Sequence, residues 1–147
     1  MKVAIDSSVI VAALNAADPD HPSCHQILVT GKNSVHAHAL TETFSTLTGG
    51  RLGIRVPPKQ AALILRDQVA PRLEVVSLTE TDLLNACLET ELRGIRGGAI
   101  YDYLHLVAAR KMGAVKFYTL NVTDFESFHR HGDPEIAHPS TRAAPPH

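Results

Sequence analysis

Residues 3–14 read VAIDSSVIVAAL, and the reading of this stretch decides the fold. Residues 2–5 (KVAI) form a short buried strand. Residues 8–16 follow as an apolar helix that stops before the Asp18-Pro19-Asp20-His21-Pro22 turn. Asp6 stands at the junction. The same alternation then runs down the chain. Residues 22–30 are helical and end at Gly31-Lys32-Asn33, and residues 34–38 (SVHAH) suit a strand. A helix over 40–48 ends at Gly49-Gly50, and Pro57-Pro58 opens another that runs to about 69, since proline is tolerated in a first turn. Residues 73–77 form a strand. Thr79 and Asp82 occupy capping-box positions for a helix to about 93. A helix over 101–112, a strand over 115–119, a short helix over 122–128 and a last strand over 135–137 complete the order.

Strands alternating with helices predict an α/β fold, a three-layer α/β/α sandwich around a mainly parallel sheet. Residues 1–138 are expected to form a single domain. The proline-rich tail, residues 139–147, is expected to be disordered. Parallel sheets place ligands beyond the carboxyl ends of their strands. Asp6 follows the first strand directly, and Asn121 and Asp124 follow the strand over 115–119, so all three fall at the expected ligand edge.

Two further acids, Glu42 and Asp102, lie near the starts of helices that would pack on the sheet. Carboxylates gathered from distant segments are how a protein builds a site for a hard divalent cation. Each also has a plainer reading. Asp6 and Asp124 would serve as helix caps, and Glu42 as a solvated surface residue. Asp102 sits on a helix that looks apolar nearly all round, where an unpaired charge is costly, although a helix N-terminus also stabilises an anion.

Composition narrows the classes. The chain has 147 residues, 44% of them hydrophobic, and a formal net charge of −1. That length suits about one domain with a substantial core. The charge argues against a bulk nucleic-acid coat, for which a clearly basic domain is expected. It leaves room for an acidic centre with a local basic rim, for which Arg93 and Arg96 in RGIRGG and Arg51 and Arg55 in GGRLGIR are candidates. No apolar run is long enough to cross a membrane, and no signal peptide is expected. Cys24 and Cys87 are far apart and are read as reduced and packed, in a cytoplasmic protein. Nine histidines invite a zinc reading, with His36 and His38 on one strand face, but no cysteine or third histidine stands at zinc-site spacing. His105, one turn after Asp102, is read as a hydrogen-bonded core histidine supporting the site, and Tyr101 and Tyr103 as packing or dimer residues.

Taken in order, VAIDSSVIVAAL, LTETFSTLT, YDYLHLVAAR and TLNVTDF resemble the PIN-domain ribonucleases, most closely the VapC toxins of bacterial VapBC toxin–antitoxin pairs. The resemblance covers about residues 2–128. It implies that Asp6, Glu42, Asp102 and Asp124 are catalytic and hold Mg²⁺, with Mn²⁺ as an alternative. Asn121 stands where some members carry Asp, so the fourth charge is assigned to Asp124. Thr119 matches a supporting hydroxyl, and Arg93 and Arg96 are the candidates for substrate binding. The implied reaction is endonucleolytic hydrolysis of single-stranded or looped RNA by metal-activated water, leaving a 5′ phosphate. The implied partners are a VapB-like antitoxin and a second copy of the chain. Two rivals are weighed against this. A phosphoryl-transfer site of the dehalogenase kind needs an acid where Ser8 stands. A degenerate PIN module would bind RNA or protein without catalysis.

Overall fold

The structure, a computed structural model, describes residues 1–142. Five strands form one parallel sheet in the order β3-β2-β1-β4-β5. They are β1 (Val3–Ile5), β2 (Asn33–His36), β3 (Leu73–Val76), β4 (Lys116–Tyr118) and β5 (Glu135–Ala137). Strand β1 is central, pairing Ile5 with Val35 of β2 on one side and with Tyr118 of β4 on the other. Chain order therefore reverses between β1 and β4. In parallel sheets that reversal opens a crevice at the carboxyl ends of the two strands.

Side chains alternate across the sheet and seed two cores. Ile5, Val35, Tyr118 and Ala137 pack with helices α1 (Ser7–Leu14) and α2 (His21–Val29). Ala39, Leu40 and Phe44 of α3 (His38–Gly49) join the same side. Ala4, Phe117 and Ile136 face the other way, against α5 (Glu80–Arg93), α6 (Ala99–Lys111) and α7 (Val122–Phe128). The expected three-layer sandwich is present. Helix α4 (Pro58–Ile64) opens at Pro57-Pro58 as expected, then widens into a π-helical turn over Leu65–Val69 and tightens into a 3₁₀ turn over Ala70–Arg72. The capping box forms, with Thr79 Oγ1 accepting from Asp82 N at 3.1 Å and Asp82 Oδ2 accepting from Thr79 N at 2.9 Å.

Several expectations change. Strand β2 ends at His36, and α3 begins at His38, so His36 and His38 do not share a strand face. Cys24 is buried, but Cys87 is exposed on α5; both are free thiols. The tail expected to be disordered begins with a 3₁₀ turn over Pro139–Thr141, in which Pro139 is buried; residues 143–147 lie outside the described residues. No helix among the described residues is long and apolar enough to cross a membrane.

Arg93 serves the fold rather than an open rim. Its guanidinium donates to Asp133 and to the Phe128 carbonyl, lies 5.0 Å from the Tyr103 ring centroid, and its side chain is only 12% exposed. Arg110 reaches the same carboxylate and stands 5.5 Å from the same ring, and Arg130 N donates to Asp133 at 2.9 Å. Burial would raise the Asp133 pKa; the Arg93 hydrogen bond and the surrounding donors outweigh it and hold the carboxyl below the ordinary range. Asp133→Ala would leave two guanidiniums over Tyr103 without their shared counter-charge. We expect a loss of about 3 kcal/mol in urea denaturation, the cost of breaking one side of a buried pair. A loss within the range of an exposed pair, about 0–1 kcal/mol, would show that solvent screens the network.

Candidate active site

The site begins with Asp6, the residue after β1. Asp6 is buried, at 3% exposure, and three protein donors meet its carboxylate. Oδ1 accepts from Ser8 N at 3.1 Å and from Ser8 Oγ at 2.5 Å, and Oδ2 accepts from Thr119 Oγ1 at 2.7 Å. Asp6 is thus the cap of α1 and more than a cap. The two hydroxyls are bound on their other sides as well. Ser8 Oγ accepts from Leu120 N at 3.0 Å, and Thr119 Oγ1 accepts from Asn121 N at 3.0 Å. One carboxylate thereby ties the turn after β1 to the loop after β4. Burial still raises the Asp6 pKa, outweighing the opposing pull of His105 and the hydrogen bonds.

Asp102 lies in the first turn of α6, half-buried. Its pKa is raised, first by burial and then by the charge of Asp6; His105 pulls it down, and Glu42 and Asp124 push it up again. Among the described residues, no hydrogen bond offsets its burial. The other three acids picked from the sequence therefore all bear on Asp102. Glu42, from the second turn of α3, is also half-buried rather than fully solvated, and its Oε1 lies 2.6 Å from Nε2 of the buried His105. Burial alone would raise the Glu42 pKa, but the His105 hydrogen bond and charge outweigh it and lower it. Burial would lower the His105 pKa; the Glu42 bond and the charges of Asp6, Glu42 and Asp102 reverse that and raise it. Asp124 is exposed on the first turn of α7, whose N-cap is Asn121. Asn121 makes no side-chain capping bond.

A line of rings leads from the centre to the surface. His105 meets His36 edge-on at 5.5 Å, His36 lies 6.1 Å from His38, and His38 stacks on Tyr101 at 6.3 Å and 22°. Burial, followed by the nearby His105 and His38, lowers the His36 pKa to about 4, so this ring is neutral near pH 7. Tyr103 points the other way, fully buried, with its hydroxyl donating to Glu89. Arg96 is exposed on the loop before α6, whereas Arg93 is taken up by Asp133. The sequence reading missed Ser8 as a support. Its signal was a hydroxyl two residues after a capping acid, the position from which it can donate back.

Among the described residues, no three His, Cys, Asp or Glu side chains are grouped closely enough to form a ready-made metal cage. The donor set nevertheless suits a hard cation. It is made of carboxylates, and burial together with the other acids works against the charge of Asp102 without a hydrogen bond to relieve it. A divalent ion would remove that penalty.

Comparison with known proteins agrees with the geometry. The model of the PIN domain family matches residues 3–128. Ribonuclease VapC27 of Mycobacterium tuberculosis is 32% identical over 107 residues, spanning 73% of this chain and 76% of that protein. The crystal structure of Mycobacterium tuberculosis VapC20, described as a sarcin–ricin loop cleaving toxin, superposes with a TM-score of 0.67 at 20% identity, over 90% of this chain and 100% of that one. VapBC2 from Rickettsia felis, solved on a DNA fragment from its promoter, gives 0.64 at 15% identity, over 94% and 98% of the two chains. A parallel five-stranded sheet with an acidic crevice at the reversal of strand order, matched along most of its length, places this chain in the PIN domain family, among the VapC ribonucleases.

Proposed function

We propose that this protein is a divalent-metal-dependent endoribonuclease and the toxin of a toxin–antitoxin pair. The observation that carries the reading is the convergence of Asp6, Glu42 and Asp124 on a half-buried Asp102, with Asp6 at the carboxyl end of β1. In this reading Asp6, Asp102 and Asp124 hold the metal, and Glu42 completes the site. Mg²⁺, or Mn²⁺ in its place, would supply positive charge to the scissile phosphate and lower the pKa of a bound water. Ser8 and Thr119 fix both oxygens of Asp6, so that carboxylate need not reorganise when the ion arrives. His105 holds one oxygen of Glu42. Asp124 is the fourth acid because the Asn121 amide carries no charge.

RNA enters from the exposed side, where Arg96 remains available as a rim cation. Solved complexes of fold neighbours with antitoxins, such as the VapBC-1 pair of Haemophilus influenzae, support a cognate antitoxin for this chain. A homodimer is supported by Leu84, Leu88 and Leu92, which line one face of α5 while 57%, 80% and 87% exposed. Two free thiols suit a cytoplasmic setting. The alternative is a degenerate module that binds without cutting, favoured by Asn121 and by the absence of a ready-made cage among the described residues.

Purified protein should cleave single-stranded RNA with Mg²⁺ or Mn²⁺. EDTA, Asp6→Asn and Asp102→Asn should each abolish cleavage. Mn²⁺ should also raise the melting temperature of the wild type, since a ligand of the folded state stabilises it, and should not do so for Asp102→Asn. Absence of both effects would favour the degenerate module. Ser8→Ala and Thr119→Val should each lower cleavage by about 10- to 100-fold, the scale for losing a residue that orients a metal ligand. Unchanged rates in both variants would mean that Asp6 needs no bracing. Finally, Mn²⁺ affinity measured by calorimetry should weaken as pH falls. Because Asp6 and Asp102 are raised, the proton competes from above the ordinary carboxylate range of about 4. An onset at or below that range would contradict the raised values.

A further inference from the structure

Beside Glu42, a cleft of about 420 Å³ opens along α3 and reaches Ser7, the neighbour of Asp6. That is within the range of about 300–1,000 Å³ typical of ligand clefts. Its walls include His38, Thr41, Glu42, Ser45 and Arg51. Three features distinguish it from an ordinary surface hollow. Arg51 is the one arginine or lysine in its lining. The other loop arginine, Arg55, lies over Gly50, where φ is +76° and an added Cβ would come within 2.7 Å of its guanidinium. The C-terminal turn of α3 thus engages Arg55 and leaves Arg51 to the cleft. Second, His38 on the wall is stacked by Tyr101, an aromatic side chain that is 56% exposed. A tyrosine left in water on top of an imidazole contributes little to a core, but it offers a flat face. Third, His36 and His105 back the platform from within, so the exposed rings are connected to the buried centre.

We propose that this cleft is the subsite for one unpaired nucleotide next to the scissile phosphate of an RNA strand. Tyr101, seated on His38, stacks the base. Arg51 takes the neighbouring phosphate. Ser45 on the cleft wall would supply a hydroxyl for the sugar or the base edge. Stacking on an aromatic face and a cation on the backbone are the two recurring means of holding single-stranded nucleic acid. Glu42 lies in both the cleft and the acidic centre, so the nucleotide in the cleft would lead directly to the reacting phosphate. The inference rests on the ribonuclease reading above and specifies where its substrate lies.

The test is fluorescence anisotropy of a short, labelled, randomised single-stranded RNA with full-length Asp102→Asn protein in EDTA, so that binding is read without cleavage. Adding Tyr101→Ala should weaken binding roughly tenfold, the loss of one stacked base, while Tyr101→Phe keeps it. On an abasic strand, Tyr101→Ala should have no effect. Adding Arg51→Ala should weaken binding and reduce the slope of log affinity against log salt by about 0.7, one phosphate contact on a single strand. RNA binding that is unchanged by both alanine variants would overturn the subsite and leave the ribonuclease reading intact. Dissociation of a dimer by Tyr101→Ala, with RNA affinity unchanged, would assign the ring to a protein interface and also overturn it. A parent protein that neither binds this RNA nor, with Asp102 restored, cleaves it would overturn both.

Discussion

The rest of the structure depends on a single buried carboxylate. Asp6 follows the central strand, where it is almost wholly withdrawn from solvent. A charge in such a place is tolerated only if it is hydrogen-bonded. Ser8 and Thr119 provide the bonds, and in doing so they fix the backbone at Leu120 and Asn121. The requirement to satisfy Asp6 therefore sets the relative position of two loops that are far apart in sequence. It also explains why a short three-residue strand can sit at the centre of the sheet: its end is held by side chains as well as by its ladders.

The two charged networks of the molecule have different character. Around Asp133, two guanidiniums and a backbone amide meet one carboxylate, and its pKa falls. That network is closed, and it packs Tyr103 against Phe128. Around Asp102, burial and the charges of Asp6, Glu42 and Asp124 outweigh the pull of His105, and the pKa rises. The protein carries an unrelieved electrostatic cost at the crevice and nowhere near the Arg93 pair. A carboxyl raised by burial and like charge is a candidate for a functional site.

The alternation of elements was legible in the sequence because strand and helix signals are local. So was the placement of acids at element ends, and those two readings together located the crevice. Strand order was not legible, since parallel pairing is decided by contacts between distant segments. The ion pair of Glu42 with His105 was hidden for the same reason: 63 residues separate them. Arg93 looked like a free loop cation because its partner, Asp133, lies 40 residues further on in a turn with no pattern of its own. His38 was read into a strand because an alternating SVHAH segment does not reveal where a helix will begin. Asp6 was the easier case. The capping role that the sequence offered is present through Oδ1, and Oδ2 is held separately by Thr119.

The bond between Thr119 and Asp6 spans 113 positions of the chain. During synthesis the first of these residues leaves the ribosome long before the last is made. Until then Asp6 has no partner on its second oxygen, β1 has no neighbour on one side, and Asp124 does not yet exist. The acidic crevice therefore cannot assemble on a nascent chain that stops short of β4. A copy that stops short of β4 would carry Asp6, Glu42 and Asp102 without Thr119 and Asp124, and its acids would lack the frame that holds them together.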